Sequence, residues 1–330
     1  MTGTSTEGVE TVATQPSAEG SGPGDPQAPV AVGAGTPGKP KKGRWVSVGL
    51  WALSILLTLA CFMYQDKTGP TYPLENSIDT AKGKVSFTFL RSENLGTDLK
   101  VMLNDPVPAG VTASVKYRRY RSHDVWSMVD MKPGDFEFSR RGSVAKVKGV
   151  GVELPSLDKR AGKYEYYVLI DDGSGEPFSI TGDKPIYARY KGAVPMPVLG
   201  VHILVIFASM MFALRTVFEA LRRDGNFKWM MWATTISLIL GAFVMGPLVQ
   251  WYAFRVWWSG VPFGFDWTDN KVLVELLAWF LALFLNRGDR RNRWSVLLAG
   301  AVTLVVYFIP HSIFGSEYDF TKGAGRGTAG

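Results

Sequence analysis

The chain has little cysteine and little histidine, and each shortage excludes a kind of chemistry. Its 330 residues include one cysteine, Cys61, and three histidines. Because Cys61 lies within an apolar run, a domain outside that run cannot form an internal disulfide and must rely on its own core. No His-Glu-x-x-His spacing indicates a zinc enzyme, and no Gly-x-Ser-x-Gly motif indicates a nucleophilic serine. The sequence therefore contains no complete catalytic signature, and whether the protein is an enzyme stays open.

Long apolar runs are abundant, and five of them predict membrane-spanning helices, since about 20 mostly apolar residues cross a bilayer. They cover residues 45–64, 197–220, 229–254, 267–286 and 294–313. The first is interpreted as a retained anchor, because residues 1–44 are too long for the basic end of a signal peptide and no Ala-x-Ala site follows. In the second, Arg215 and Glu219 are spaced to pair across one helical turn. In the third, Pro247 predicts a kink.

The charge of the connecting segments predicts the orientation of these helices. Lysine and arginine collect in three clusters: Lys39, Lys41, Lys42 and Arg44; Arg222, Arg223 and Lys228; and Arg287, Arg290, Arg291 and Arg293. Cytoplasmic loops are rich in these residues, and all three clusters fall on one side if the N-terminus is cytoplasmic. The sequence therefore predicts a multi-pass protein of a bacterial inner membrane with a periplasmic C-terminal tail, residues 314–330. The formal charge of +7 follows from these loops and does not indicate nucleic-acid binding.

Two segments outside the apolar runs have contrasting compositions. Residues 1–44 are rich in Gly, Pro, Ala, Thr and Glu, which predicts a disordered cytoplasmic tail. Residues 65–196 are predicted to form a periplasmic domain, because short segments with period-two alternation indicate strands. These segments are 84–90, 111–120, 125–131, 143–148, 163–171 and 186–189. Turn motifs between them, including Lys132-Pro133-Gly134-Asp135, favour an antiparallel β-sandwich.

Two strands of this domain carry a family resemblance. They are Ala113-Ser-Val-Lys-Tyr-Arg-Arg-Tyr120 and Ala161-Gly-Lys-Tyr-Glu-Tyr-Tyr-Val168. With these motifs, residues 80–190 resemble fibronectin type III and immunoglobulin-like domains. The resemblance implies a fold that serves for binding or spacing and implies no catalytic residues. The whole chain is thus predicted to be a polytopic α-helical membrane protein with an inserted all-β sandwich.

A polar cluster is expected where the helices meet the periplasm. Its candidate ligand residues are His202, His311, Asp266, Asp269 and Glu317, supported by Asn270, Lys271 and Glu275. Ionisable residues at membrane depth are functional candidates because their burial is costly. The two histidines could ligate a b-type haem, or could bind Zn²⁺ together with the carboxylates. Alternatively, Asp269 caps the fourth helix and Lys271 extends its ammonium group to water. His202, Ser209 and Thr216 recur every seven residues and are expected to face the bundle interior.

Three functions remain open from the sequence. The preferred one is a binding or scaffold protein that presents the sandwich and the polar cluster to an envelope protein or an anionic polymer. A basic set on the sandwich supports it: Lys116, Arg118, Arg119, Arg121, Arg140, Arg141, Lys146 and Lys148. A solvated sandwich face is the alternative explanation of this set. The other two functions are a metal- or haem-dependent membrane enzyme or electron-transfer protein, and a transporter component.

Overall fold

A computed structural model describes residues 41–140, 143–311 and 314–328. Residues 1–40, which hold most of the expected disordered tail, lie outside the described ranges, as does Arg141 of the basic set.

The helices coincide with the apolar runs. They are α1 (Lys41–Thr68), α2 (Met196–Leu221), α3 (Lys228–Leu238), α4 (Gly246–Phe254), α5 (Trp267–Leu285) and α6 (Arg293–Phe308). A π-helical segment, Ile239–Met245, joins α3 to α4 without interruption. This segment ends two residues before Pro247, where the sequence predicts a kink. The helix there departs from regular α-helical geometry through the wider turns of a π-helix.

Three helical stretches within the described residues are long and apolar enough to cross a membrane. They are Gly43–Thr68, Met196–Leu221 and Lys228–Phe254, and they indicate a membrane protein. The fourth and fifth expected spans do not meet the same measure. Helix α6 has 16 residues, and α5 has 19 residues that include three ionisable side chains. Five spans are therefore not supported by length and composition.

The helices pack around Trp279 of α5, which is fully buried. Helix α2 packs against α3 and α6, and small residues permit the close approach. At Gly300 of α6 an added side chain would collide with Val217 of α2. On the interior face of α2, Ser209 and Thr216 are buried, which confirms their expected direction.

The loops between α2 and α3 and between α5 and α6 lie together at one end of the bundle. Arg291 donates a hydrogen bond to the carbonyl oxygen of Gly225, and Arg293 donates to that of Arg223. Two of the three basic clusters therefore lie on the same side, which we call the loop end. The opposite end, where α1 leads into the β-domain and α2 leaves it, is the sandwich end.

The β-domain contains two sheets. Its strands are β1 (Leu74–Thr80), β2 (Gly83–Phe89), β3 (Ser92–Asn94), β4 (Leu99–Asn104), β5 (Thr112–Arg119), β6 (Ser127–Asp130), β7 (Lys132–Arg140), β8 (Ser143–Leu154), β9 (Lys163–Asp171), β10 (Phe178–Ser179) and β11 (Ile186–Lys191). The first sheet has the order β1-β2-β4-β8-β7, and the second has the order β3-β11-β9-β5-β6, with β10 also paired to β9. All pairs are antiparallel except β3 with β11.

The two sheets bury a shared core. One hydrophobic cluster combines Phe89 and Val101 of the first sheet with Val115, Tyr166 and others of the second. Alternation places every second residue of a strand on this face. In β5, Ala113 and Val115 point inward, as the sequence predicts.

Each of the six predicted strand segments contains a strand, but one turn prediction is wrong. Lys132-Pro133-Gly134-Asp135 forms the start of β7 and pairs with β8. Strand β7 lies at the edge of its sheet, where a proline without an N–H group is tolerated.

A third, two-stranded sheet forms near the C-terminus. Strands β12 (Glu317–Asp319) and β13 (Ala324–Arg326) pair as a hairpin. The N–H of Tyr318 donates to the carbonyl oxygen of Ala161, and that of Thr321 donates to Arg121. The segment expected as a C-terminal tail is thus attached to the sandwich.

Candidate functional site

The outward face of the second sheet carries a row of aromatic and charged side chains. Strand register places Lys116 of β5 between Met128 of β6 and Tyr167 of β9. The next outward position, Arg118, is opposite Glu165 of β9. We call this surface the aromatic face.

Trp126 is the centre of the aromatic face. The guanidinium carbon of Arg118 lies 4.5 Å from the centre of its ring, and Nζ of Lys116 lies 5.3 Å from it. The ring of Tyr167 contacts it at 5.6 Å between centroids. Two cations and a second ring therefore contact the indole and restrict its orientation.

The two arginines of this region are already paired with carboxylates. Nε of Arg118 donates to Glu165 at 2.6 Å, and Arg119 donates two hydrogen bonds to Asp124, at 2.7 and 2.8 Å. The hydrogen bonds from Arg119 lower the pKa of Asp124 below its ordinary value. Because each guanidinium keeps free N–H groups, the face can still donate hydrogen bonds without a large excess of positive charge.

A cleft of about 310 Å³ lies beside the aromatic face, and its lining consists of Tyr117, Arg118, Arg119, Asp124, Val125, Ser127 and Tyr164. Two apolar side chains near this cleft are exposed to solvent. Val125 is 83% exposed, and the nearby Met128 on β6 is 61% exposed. Exposed apolar groups beside fixed polar ones are typical of a binding surface.

The basic set predicted from the sequence is only partly a single surface. Lys116 and Arg118 share the aromatic face, whereas Arg121 turns to Glu317, 3.0 Å away. Lys146 lies on the other sheet, where it pairs with Glu137 at 3.0 Å. Of the basic set, Lys116 and Arg118 therefore contribute to a small basic and aromatic face, and the role of the set in binding stays a prediction.

The predicted polar cluster at the sandwich end acts mainly to fold the loop before α5. Asp269 accepts hydrogen bonds from the N–H and Oγ of Ser259, at 2.7 and 3.0 Å. Asn270 accepts one from the N–H of Val261 at 2.7 Å. Asp266, not Asp269, is the residue that caps α5, since its side chain accepts from the N–H of Thr268.

Lys271 does not extend to water as expected. It is 9% exposed, and its Nζ donates to the carbonyl oxygens of Val306 and Ile309, at 3.2 and 2.7 Å. The last carbonyls of a helix lack partners within that helix. Lys271 therefore closes the end of α6, and Glu275, one turn further along α5, is buried beneath it.

The two histidines are held by different elements. Nδ1 of His202 lies 3.0 Å from the carbonyl oxygen of Gly241 in the π-helical segment. A carbonyl only accepts, so this contact requires a proton on Nδ1, and in the neutral ring Nε2 is then an acceptor. The backbone N–H of His311 donates to Oε1 of Gln65 on α1.

Glu317 belongs to the joint between the sandwich and the C-terminal hairpin. Its two carboxylate oxygens accept from Arg121 and from Lys163 of β9. Burial lowers the pKa of Lys163 although Glu317 opposes this shift. Each carboxylate oxygen of Glu317 is thus paired with a cation, so this carboxylate is not free to bind a metal ion.

The joint continues through Arg189 of β11, which the sequence did not single out. It is buried, its guanidinium lies 5.4 Å from the ring of Phe254, and it donates to the carbonyl oxygen of Ser316. Burial lowers its pKa, while the charges of Asp266 and Glu317 raise it. Arg189 thus links the sandwich, α4 and the C-terminal segment.

The predicted residues do not converge on one metal ion. The backbone N–H of Asp266 and the carboxylate of Asp269 both bond to Ser259, whereas the carboxylate of Glu317 pairs with Lys163 of the sandwich. In the described part of the chain, no group of three or more His, Cys, Asp and Glu side chains is placed to hold a metal. The zinc hypothesis therefore gains no support from these residues.

The sequence does not indicate that Trp126 and Tyr167 lie beside the cations Lys116 and Arg118. Period-two alternation alone places Lys116 and Arg118 on one face of β5. It does not tell which strands lie beside β5, and that register is what brings the aromatic rings to these cations.

Comparison with known proteins adds no relative. No family model, no curated protein and no solved structure matches this chain.

Proposed function

We propose that the protein is a binding protein of a bacterial inner membrane that presents its β-sandwich to the periplasm. In this proposal the membrane unit has five spans: α1, α2, the continuous stretch from α3 to α4, α5 and α6. The N-terminus lies in the cytoplasm and the C-terminus in the periplasm. The bonded loops at the loop end support it, because both carry basic clusters of the kind that stay cytoplasmic. The sandwich is then an immunoglobulin-like or fibronectin-like module used for recognition.

The ligand we propose is an acidic polysaccharide of the envelope, bound on the aromatic face. The observation that carries this is the arrangement of Trp126 under Arg118 and Lys116 and beside Tyr167. A flat, fixed ring offers a stacking surface for a sugar ring. The surrounding N–H donors can bind carboxylate or phosphate groups on the polymer.

An anionic lipid surface is a weaker fit to the same residues. Binding to headgroups depends on unpaired lysine and arginine near the surface. Here Arg118 and Arg119 are already paired with Glu165 and Asp124. A ligand that uses the rings as well as the cations matches the face better.

The joint between sandwich and helices supports a scaffold role. The N–H of Gly192 donates to the carbonyl oxygen of Ala253 in α4, at 2.8 Å. Thr328 also donates to the carbonyl oxygens of Arg160 and Phe254, at 3.3 Å each. These bonds hold the binding domain in one orientation on its membrane unit.

The test uses the full-length protein in detergent and measures binding to alginate, with dextran as the neutral polysaccharide and polyglutamate as the non-sugar polyanion. We expect binding to alginate alone, weakened at least about tenfold by Trp126→Ala. Lys116→Gln should weaken it, whereas Lys146→Gln on the other sheet should not.

Three outcomes would contradict the proposal. Equal binding to polyglutamate would show charge attraction without sugar recognition. Unchanged alginate binding in Trp126→Ala would remove the aromatic face as the site. Binding to anionic liposomes but not to alginate would assign the face to the membrane.

A further inference from the structure

Glu275 is a carboxyl group deep inside the helical unit. It lies on α5, is 1% exposed and faces α6. The hydroxyl of Thr303 on α6 lies near it. The hydroxyl of Thr303 accepts from Nε1 of Trp279 at 2.9 Å, so its own proton remains available to the carboxyl group.

One oxygen of Glu275 is left without a partner. Oε2 is buried and makes no hydrogen bond to any residue that the structure describes. The nearest cation along the helix is Lys271, one turn away, but no ion pair within 4.0 Å joins the two described side chains. The Lys271 ammonium group is engaged by the carbonyl oxygens that end α6.

In the described part of the chain, the other helices around Glu275 supply no charge to balance it. On α6, the hydroxyl of Tyr307 donates to the carbonyl oxygen of Ile206 and lies 3.5 Å from Ser209 of α2. The single ionisable residue of α3 is Lys228 at the loop end, and the π-helical segment has none.

On α2, the imidazole ring of His202 is hydrogen-bonded to the carbonyl oxygen of Gly241. Cys61 of α1 packs against the cluster that contains Tyr307.

An ionised carboxylate in this place would be unstable. A buried charge needs a cation or several hydrogen bonds, and among the described residues the Thr303 hydroxyl is the one donor near Glu275. Protonation gives a neutral carboxylic acid. Burying this neutral group costs far less free energy than burying the carboxylate. A metal ion is not an alternative supported by the described residues, because the neighbouring oxygens of Tyr307 and Ser209 already bond to the backbone.

We propose that Glu275 is a proton-binding site of the membrane unit, which takes up its proton from the sandwich end past Lys271. In this step a proton from water forms an O–H bond with the carboxylate, and on release it returns to water. Lys271 provides the route because it lies on the same helix face as Glu275 and reaches Ile309 at the end of α6. This inference does not depend on the proposed polysaccharide binding.

The test is infrared spectroscopy of the full-length protein in detergent at about pH 7, where ordinary carboxyl groups are ionised. We expect the carbonyl stretch of a protonated carboxylic acid, and its loss in Glu275→Gln. The band should remain in Glu176→Gln, which alters an exposed carboxyl group. It should also shift in D₂O, because the site exchanges protons with solvent.

A band that is absent, or that persists unchanged in Glu275→Gln, would overturn the proposal. If Glu275→Gln does not fold, as judged by gel filtration, Thr303→Val replaces it and should shift the frequency of the band by removing the hydroxyl donor. Loss of the band on adding sodium chloride, but not choline chloride, at constant pH would identify a cation site instead and would also overturn the proposal.

Discussion

Nζ of Lys163 and Oε2 of Glu317 lie 2.5 Å apart although the two residues are separated by 154 positions in the chain. This ion pair, together with Arg121, attaches the C-terminal hairpin to the sandwich. Both partners are largely shielded from solvent, so the pair is screened less than a surface ion pair.

Replacing Glu317 should release the C-terminal hairpin. Glu317→Gln leaves Lys163 without its anion, and we expect a loss of about 1–3 kcal/mol in the stability of the attachment. Hydrogen exchange should rise in residues 314–328 and remain unchanged in β9. Glu153→Gln is the control, because its distance to Lys100 is 3.9 Å and half of its side chain is exposed. Equal exchange in both variants would contradict the assigned role.

Asp124 should contribute to the pH dependence of the sandwich. Its pKa is lowered in the folded state by Arg119, so its stabilising effect is complete above the ordinary value of about 4 and is lost as the pH falls through the lower, folded value. The midpoint of thermal unfolding should therefore fall less steeply with acidification in Asp124→Asn than in the unaltered protein. Partial exposure of both side chains keeps the effect small. A steeper fall in the variant would be inconsistent with this sign.

Gly151 of β8 should not tolerate a side chain. An added Cβ would lie 2.7 Å from both the carbonyl oxygen of Val101 and the ring of Phe136. We expect Gly151→Ala to destabilise the sandwich by about 1–3 kcal/mol, as overpacking does. Gly175→Ala, with no atom within 4 Å of its added Cβ, is the control. Thermal unfolding followed by circular dichroism compares the two, and equal midpoints would show that the sheet adjusts.

Arg215 and Glu219 of α2 should behave as a buried pair. Nη2 of Arg215 lies 2.5 Å from Glu219, and both residues are buried. Glu219→Leu leaves a buried cation, so a loss of about 3–5 kcal/mol is expected. Combining it with Arg215→Met should restore the part of that stability due to the buried cation, while the ion pair of Glu219 with Arg222, 2.8 Å long, stays lost. Denaturant unfolding in detergent measures both variants, and a double variant as unstable as the single one would disprove the pairing.

The sequence predicts the elements better than their contacts. Alternation identifies β5 and β9, but β4 escapes because Val101, Met102 and Leu103 are buried in succession. Strand β7 is mistaken for a turn because its Pro-Gly motif is typical of turns, and only its edge position allows the proline.

The site is less predictable because its contacts are distant in sequence. Spacing within one segment correctly predicts the pair of Arg215 with Glu219. It cannot predict that Glu317 reaches Lys163, or that Lys271 reaches Ile309, since neither has a local signal. The expected metal cluster assumed that residues at equal membrane depth converge, whereas Glu317 pairs with Lys163 of the sandwich and His202 bonds to Gly241 of the π-helical segment.

Cysteine labelling in intact cells most directly tests the central claim that the sandwich faces the periplasm and the basic loops face the cytoplasm. In a Cys61→Ala background, single cysteines are introduced as Glu176→Cys in the sandwich, Asp224→Cys before α3 and Asp289→Cys before α6. A maleimide that enters the periplasm but cannot cross the inner membrane should label the first alone, and all three after the inner membrane is permeabilised. Labelling of the Asp224→Cys or Asp289→Cys variant in intact cells would contradict the five-helix arrangement and place the aromatic face away from the envelope polymers.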